Sequence, residues 1–152
     1  MKSRIYHTGS EEETIALGEK IASELPAKAV VLLIGQLGAG KTTLTKGIVK
    51  GLGAARPEDV SSPTFTLIHE YGSGVYHIDL YRLDTAEQVA TLGLDEIFDR
   101  RAIMLIEWGE RFPELMPEDR IEVRLRTDGE NSREIELTST MEEALPPIRE
   151  SG

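Results

Sequence analysis

Runs of consecutive apolar residues and stretches of helical periodicity organise the chain. The two runs are Ala29–Ile34 and residues 102–106, and both contain β-branched side chains. Continuous runs of this kind are typical of parallel strands that are buried on both faces. Helical spacing occurs in two places: Thr14, Leu17, Ile21 and Leu25, then Leu44, Ile48 and Leu52. We therefore expect strands and helices to alternate, as in α/β proteins.

Capping signals predict where two helices begin. Ser10 with Glu13, and Thr85 with Gln88, have the spacing of a capping box, in which side chains satisfy free backbone N–H groups. The first pair precedes the apolar positions that begin at residue 14. The second pair predicts a helix that runs to about Gly93.

Short strand-like segments elsewhere predict β-hairpins. Residues 66–71 and Val75–Asp79 are separated only by a Gly-Ser-Gly turn. Residues 120–126 and 133–138 alternate apolar and polar positions around an Asp-Gly pair, and residues 5–7 are expected to form a short first strand. Because hairpin strands are antiparallel, we expect a mixed sheet.

The glycine-rich segment between the first apolar run and the next helix has a phosphate-binding sequence. Residues 35–42, Gly-Gln-Leu-Gly-Ala-Gly-Lys-Thr, fit the pattern GxxxxGK(S/T), with a predicted strand before and a predicted helix after. Lys41 is expected to reach the β- and γ-phosphates of ATP, and the Thr42 hydroxyl to ligate Mg²⁺. The residues expected to surround the phosphates are Gly38, Ala39, Gly40, Lys41, Thr42 and Thr43.

These elements predict a three-layer P-loop NTPase fold of the α/β class. Its central sheet is expected to be mixed, with parallel core strands and antiparallel hairpins. The 152 residues suit one ordinary domain. We expect a single P-loop ATPase domain over residues 1–145 and a disordered tail over residues 146–152.

Hydrolysis also requires an acidic group at the end of a strand beside the phosphate-binding loop. Glu107 follows the second apolar run, and Asp79 ends the strand Val75–Asp79. Either carboxylate could bind Mg²⁺ while the other positions the attacking water, and the sequence leaves both assignments open. Thr64 could act as a switch that senses the γ-phosphate, and Trp108 could cover the nucleotide or contact a partner.

Composition narrows the classes of function. The chain carries 27 acidic and 17 basic residues, a net charge of −10, so we expect no strong direct binding of nucleic acid. It has no cysteine, which excludes disulfides and thiolate metal sites. His7, His69 and His77 lack metal-ligand spacing and are expected to be structural or surface residues. Because no apolar run approaches the roughly 20 residues that span a bilayer, and no signal-peptide pattern is visible, we expect a cytoplasmic protein.

Four sequence blocks, taken together, resemble one protein family. They are Gly-Gln-Leu-Gly-Ala-Gly-Lys-Thr-Thr at residues 35–43, Ser-Pro-Thr-Phe-Thr-Leu at 62–67, His-Ile-Asp-Leu-Tyr-Arg-Leu at 77–83, and Ile-Glu-Trp at 106–108. In this order they resemble the TsaE (YjeE) family, bacterial ATPases required for the threonylcarbamoyladenosine modification of tRNA. The similarity covers about residues 10–137. Many families share the P-loop, so the combination of blocks carries the resemblance.

The resemblance implies ATP and Mg²⁺ as ligands and a role for several residues. It implies that Thr42 and Glu107 bind Mg²⁺ and that Lys41 binds the phosphates. It also implies that Asp79 assists hydrolysis and that Thr64 belongs to a switch-like segment. Glu11 would approach the nucleoside side of ATP, and Trp108 would lie near the nucleotide. The implied partners are TsaD and TsaB, which transfer threonylcarbamoyl to adenosine-37 of tRNA. The ATP cycle would reset their complex between turnovers. Residues 109–111, Gly-Glu-Arg, depart from the family pattern, which often has proline there.

Other nucleotide-binding classes fit the sequence less well. A small-molecule kinase also has a P-loop, but it needs an acceptor pocket and an arginine-bearing lid, for which the chain has little room. A GTPase needs an NKxD motif, and here Asn131 is followed by Ser132. A non-catalytic regulator would lack the two strand-end acids. Because no arginine finger stands out apart from Arg82, we expect hydrolysis to be slow alone and faster with a partner.

Overall fold

The computed structural model describes residues 2–36, 38–72 and 74–140. The helices and strands follow in the order β1 (Lys2–Thr8), α1 (Glu11–Glu24), β2 (Ala29–Ile34), α2 (Lys41–Gly51), β3 (Ile68–Tyr71), β4 (Val75–Asp79), α3 (Ala86–Ala90), α4 (Leu94–Phe98), β5 (Ile103–Glu107), β6 (Ile121–Thr127) and β7 (Arg133–Ser139). Short 3₁₀ turns lie at Pro57–Asp59, Gly109–Arg111 and Pro113–Leu115. The tail predicted over 146–152 lies outside the described residues.

All of these strands belong to one sheet, in the order β1-β7-β6-β2-β5-β4-β3. The central strands β6, β2, β5 and β4 are mutually parallel. Antiparallel pairs form both flanks, β7 and β1 on one side and β3 on the other. The predicted mixed sheet of parallel core strands and antiparallel hairpins is therefore confirmed.

The sheet separates two apolar cores because side chains alternate across each strand. Val31 and Leu33 of β2 pack against α1 and α2. Val30 and Leu32 face the opposite way, toward α3, α4 and the segment that contains Phe112. The fold therefore has the three layers that the sequence predicted.

Helices α1 and α2 approach each other closely through glycine. A Cβ added at Gly47 would lie 2.0 Å from the carbonyl oxygen of Ile15, and one added at Gly18 would lie 2.6 Å from that of Leu44. Both distances are shorter than any real contact, so the two backbones touch where side chains would keep them apart. This contact fixes the position of α2, which carries the phosphate-binding loop at its start.

Several predicted element ends differ in detail. The Ser10 hydroxyl accepts the Glu13 N–H as predicted, but the Glu13 carboxylate accepts from Gly9 N–H at 2.7 Å, one residue before the cap. The Thr85 capping box is present, yet its helix ends at Ala90, and Gly93 (φ +70°) begins a separate helix, α4. Strand β3 begins at Ile68 rather than at residue 66, because Leu67 adopts a left-handed conformation (φ +70°).

Candidate functional site

The phosphate-binding loop connects the carboxyl end of β2 to the first turn of α2. Gly38 (φ +82°) and Gly40 (φ +102°) adopt left-handed conformations that residues with a Cβ rarely take. Gly40 is the N-cap of α2, and no side chain caps that end of the helix. The first N–H groups of α2 are therefore available to an anion, and the helix dipole favours negative charge there.

One N–H group of this loop already has a partner within the loop. The Ala39 side chain is buried, and its N–H donates to the carbonyl oxygen of Gln36 at 3.1 Å. This N–H closes a turn within the loop, whereas the sequence pattern predicts that it faces a phosphate. To bind an anion through this N–H, the loop would first have to break the hydrogen bond to the Gln36 carbonyl.

Lys41 is held inside the loop. Its side chain is buried, and Nζ donates to the Gly35 carbonyl oxygen at 2.8 Å while lying 3.7 Å from the centroid of the Trp108 ring. Burial lowers the pKa of Lys41, and the carboxylates of Glu107, Glu110 and Asp79 oppose that shift. The ammonium group therefore lies between the loop and a ring that supplies a cation–π contact.

Asp79 and Glu107 lie side by side at one edge of the sheet. They are aligned residues on the parallel strands β4 and β5, which end at the same edge. Both are buried, with 3% and 4% exposure. Two oxygens of Asp79 accept hydrogen bonds, one from the Tyr81 N–H at 2.9 Å and one from the Ser62 hydroxyl at 2.8 Å.

The predicted switch residue Thr64 contacts the same acid. Its hydroxyl lies 3.4 Å from Asp79 Oδ2 and 3.2 Å from the Ser62 hydroxyl. The next residue, Phe65, is 82% exposed, and the Arg82 guanidinium lies 4.6 Å from its ring centroid. Arg82 is therefore engaged with Phe65 and is not among the residues that line the cleft described next.

These groups meet in a cleft of about 440 Å³. It is lined by Glu11, Gly38, Gly40, Lys41, Thr42, Thr43, Ser62, Thr64, Asp79, Tyr81, Glu107, Trp108 and Arg133. The structure thus brings together every site residue that the sequence predicted except Ala39, whose side chain is buried and does not line the cleft. Tyr81 packs against Trp108, with ring centroids 5.1 Å apart, and the two rings form one wall.

Four polar residues of the site were not predicted from the sequence, namely Ser62, Tyr81, Arg133 and His77. Arg133, at the start of β7, donates from Nε to the Ala39 carbonyl at 3.0 Å and from Nη2 to the Gly38 carbonyl at 3.5 Å. His77 was expected to be a structural or surface residue, and the surface assignment is wrong because its side chain is fully buried. His77 Nε2 lies 2.5 Å from Glu107 Oε2. Its only sequence signal is its position two residues before Asp79, which places both side chains on one face of a buried strand.

The donor groups of the cleft fit a nucleotide with a magnesium ion. The described residues contain no cluster of three or more His, Asp or Glu side chains that could hold a metal. Proteins commonly bind Mg²⁺ through one or two carboxylates together with substrate phosphates and water. Thr42, Glu107 and Asp79 all face the cleft beside the phosphate-binding loop, and oxygen donors of this kind suit Mg²⁺.

No helix in the described parts of the chain is both long and apolar enough to cross a lipid bilayer.

Known proteins share the sequence and the fold of this chain. The chain is 41% identical to a tRNA threonylcarbamoyladenosine biosynthesis protein TsaE from Bacillus subtilis, over 91% of this chain and 87% of that protein. It is 44% identical to a protein of the same name from Nostoc, over 84% of this chain and 81% of that protein. A crystal structure of Bacillus subtilis YdiB matches with a TM-score of 0.78 and 35% identity, covering 94% of this chain and 89% of that one. The model of the family described as "Threonylcarbamoyl adenosine biosynthesis protein TsaE" matches residues 8–135, and the chain therefore belongs to the TsaE family.

Proposed function

We propose that this protein hydrolyses ATP with Mg²⁺ in the cytoplasm and thereby supports the threonylcarbamoyladenosine modification of tRNA by a TsaD–TsaB complex. The observation that carries the proposal is the shared cleft, where a P-loop lysine faces two aligned strand-end carboxylates. P-loop enzymes use this combination to bind a triphosphate and to catalyse its hydrolysis. Membership of the TsaE family supports the pathway, and the TsaD–TsaB complex as the partner is part of the proposal.

Several residues of the cleft have a part in this reaction. Lys41 and the free N–H groups of α2 bind the phosphates, once the Lys41 ammonium leaves the Gly35 carbonyl. Thr42 and Glu107 would hold the metal ion. When bound, Mg²⁺ neutralises charge that develops on the β- and γ-phosphate oxygens. Trp108 and Tyr81 form a wall that limits access of water to the phosphate-binding loop.

Asp79 is suited to position the attacking water. Its Oδ1 accepts from the Tyr81 N–H, and its Oδ2 accepts from Ser62 and lies near Thr64. These bonds fix the carboxylate in one orientation and tie it to the loop that carries the predicted switch. A nucleotide that orders this loop would therefore also set the position of Asp79.

The contacts of the nearby arginines would make hydrolysis slow in the free protein. Arg133 lines the cleft, but its guanidinium is bound to loop carbonyls, and Arg82 stacks on Phe65. An arginine that stabilises the transferring phosphate accelerates such reactions by about 10³–10⁵. A partner that supplies this arginine, or that releases Arg82 from Phe65, would stimulate the enzyme.

The test is a comparison of ATPase rates for the wild type, Lys41→Ala and Glu107→Ala, each alone and with TsaD–TsaB. We expect a weak basal rate that the complex increases, and a loss of roughly 100-fold or more in both variants. Lys50→Ala, on the exposed side of the same helix and paired with Glu19, is the matched control. Phosphate passed to a small acceptor would assign the protein to the kinases instead, and failure to bind ATP would refute the proposal.

A further inference from the structure

His77 is a buried polar group that the proposed reaction does not use directly. We infer that His77 is a positioning residue for Glu107, whose carboxylate it holds by one oxygen so that the other faces the cleft and a magnesium ion. The inference rests on the proposed function, because it assigns Glu107 to the metal.

Strand geometry brings the two side chains together. His77 is aligned with Leu105 on the parallel neighbour β5, and Asp79 is aligned with Glu107. Side chains two residues apart lie on the same face of a strand, so His77 lies beneath the acids of the cleft. From there His77 Nε2 reaches Glu107 Oε2 at 2.5 Å.

Burial makes this hydrogen bond a lasting restraint. His77 has no exposed surface, and Glu107 is 4% exposed. Water therefore cannot readily replace either partner. A carboxylate held by one oxygen loses most of its rotational freedom, and its second oxygen keeps a fixed direction.

The remaining contacts of His77 indicate that packing alone does not account for a histidine here. Within the part of the chain that the structure describes, its Nδ1 is buried without a hydrogen-bond partner. The Tyr71 ring lies 6.4 Å from the imidazole, centroid to centroid, in a tilted arrangement. A buried polar atom without a partner is unfavourable, so an apolar side chain would suit a purely structural position better. Among the described residues, Glu107 is the hydrogen-bond partner of this ring, through Nε2.

A pair of variants of equal length separates positioning from packing. His77→Gln keeps an N–H donor near the position of Nε2, whereas His77→Met has a similar length and no donor. His69→Gln is the control, because His69 is aligned with His77 on β3 but is partly exposed and lies outside the cleft. Thermal unfolding in EDTA shows whether each variant is folded, and His77→Asn, which is too short to reach Glu107, replaces His77→Met if the latter is not.

The measurement is nucleotide binding, followed by the fluorescence of Trp108, the single tryptophan of the chain. A non-hydrolysable ATP analogue is titrated in EDTA and then across a range of Mg²⁺ concentrations, and ATPase rates are recorded over the same range. Loss of an outer hydrogen-bond partner typically weakens metal binding by about 10–100-fold. We expect His77→Met to raise the half-saturating Mg²⁺ concentration by about this factor, with Mg²⁺-free binding unchanged, and His77→Gln to restore part of the loss.

Two results would overturn the inference while leaving the proposed function intact. One is a Mg²⁺ dependence in His77→Met that equals that of the wild type. The other is a loss of nucleotide affinity in His77→Met that is as large without Mg²⁺ as with it, which indicates damaged packing. A wild-type protein that binds no nucleotide at all would instead refute the proposed function, and this inference would fall with it. The wild-type titration alone distinguishes the two kinds of failure.

Discussion

The side chain of Glu110 is half-buried, and one oxygen of its carboxyl group is enclosed by the protein. It lies beside Trp108 and Arg124 in a second cavity of about 260 Å³. Its Oε1 is buried without a hydrogen-bond partner among the residues that the structure describes. Burial raises the pKa of Glu110 above its ordinary value of 4.5, and the hydrogen bond from its own backbone N–H, with the charges of Lys41, Arg111 and Arg124, offsets this only in part.

We expect Glu110→Gln to stabilise the protein at neutral pH. Because the folded-state pKa is raised, the folded protein binds this proton more tightly than the unfolded chain does. The contribution of this proton to the free energy of unfolding is fully present below the unfolded-state pKa of 4.5. It is lost as the pH rises through the folded-state pKa. Glutamine removes the buried charge, so Tm should rise by a few degrees at neutral pH and stay unchanged below pH 4.5.

Thermal unfolding across a pH series checks this expectation. Glu114→Gln is the control, since Glu114 is exposed in the next 3₁₀ turn and its replacement should have little effect at any pH. Equal stabilisation by Glu110→Gln in acid and at neutral pH would contradict the account, because the buried charge exists only above the folded pKa.

At the scale of single residues, the sequence predicted groups that belong to local motifs. Lys41 and Thr42 follow from loop spacing, and Glu107 follows from the end of an apolar run. His77 and Arg133 were missed because their partners are distant in sequence. His77 meets Glu107 only through the pairing of β4 with β5, and Arg133 reaches the loop from a strand 94 residues away.

At the scale of elements, β7 supports the phosphate-binding loop through Arg133. The guanidinium donates hydrogen bonds to the carbonyl oxygens of Gly38 and Ala39. Hydrogen bonds from charged donors are worth about 1.5–3 kcal/mol. We therefore expect Arg133→Gln to raise the Kd for ATP on the order of 10-fold.

Equilibrium titration of ATP and ADP, with kcat measured at saturating ATP, tests this role. Arg126→Gln is a matched control, because Arg126 is exposed on the same hairpin and pairs with Glu134 at 2.8 Å. Since Arg133 contacts the loop in the free protein, kcat should change much less than Kd. A large fall in kcat with unchanged ATP affinity would show that Arg133 acts on the transferring phosphate instead.

The contact between α1 and α2 makes Gly47 sensitive to substitution. In an exposed helix, replacing glycine by alanine stabilises by about 1 kcal/mol. Here the added Cβ would lie 2.0 Å from the Ile15 carbonyl oxygen, which is backbone and cannot rotate away. Overpacking of this kind typically costs about 1–3 kcal/mol, so we expect Gly47→Ala to be clearly destabilising.

Urea unfolding gives the free energy directly. Lys50→Ala, an exposed position of the same helix, should change stability by no more than about 0.5 kcal/mol. A stabilised Gly47→Ala variant would show that helix propensity outweighs the contact. Because α2 carries Lys41 and Thr42, weaker ATP binding should accompany the loss of stability.

Elements were predictable where one local pattern determines them. The strands β2 and β5 follow from apolar runs, and both hairpins follow from turn residues. Element ends were less predictable, because Leu67 adopts a left-handed conformation that is rare for a residue with a Cβ, and Gly93 begins a separate helix. The glycine contact between α1 and α2 has no local signal either, since Gly18 and Gly47 read as ordinary helix positions until the helices are placed together.

At the scale of the whole molecule, the pattern predicted layers but not strand order. Runs that are apolar on both faces imply a sheet covered on both sides, which is what the two cores show. In the sheet, β6 lies next to β2, and β7 and β1 follow on the outer side of β6. This order depends on pairing between strands that are distant in the sequence. Several arrangements of the same strands would bury the same residues, and so the local pattern cannot choose among them.

The charge of the whole molecule predicts weak contact with RNA. The net charge is −10, and many cations already lie 2.8–3.9 Å from a carboxylate. These cations are Arg4, Lys50, Arg56, Arg111, Arg120, Arg124 and Arg126. RNA phosphates would have to displace these partners, which reduces the counterion release that drives binding.

We therefore expect the isolated protein to bind tRNA more weakly than about 10⁻⁴ M at physiological salt, the weak end of non-specific binding. Fluorescence anisotropy with labelled tRNA measures this, first for the protein alone and then with TsaD–TsaB present. A basic RNA-binding protein serves as the positive control for the assay. Association of tRNA only when the partners are present would place the RNA contacts on them. Micromolar, salt-sensitive binding by the isolated chain would contradict this expectation and would show that cations outside these ion pairs form an RNA-binding surface.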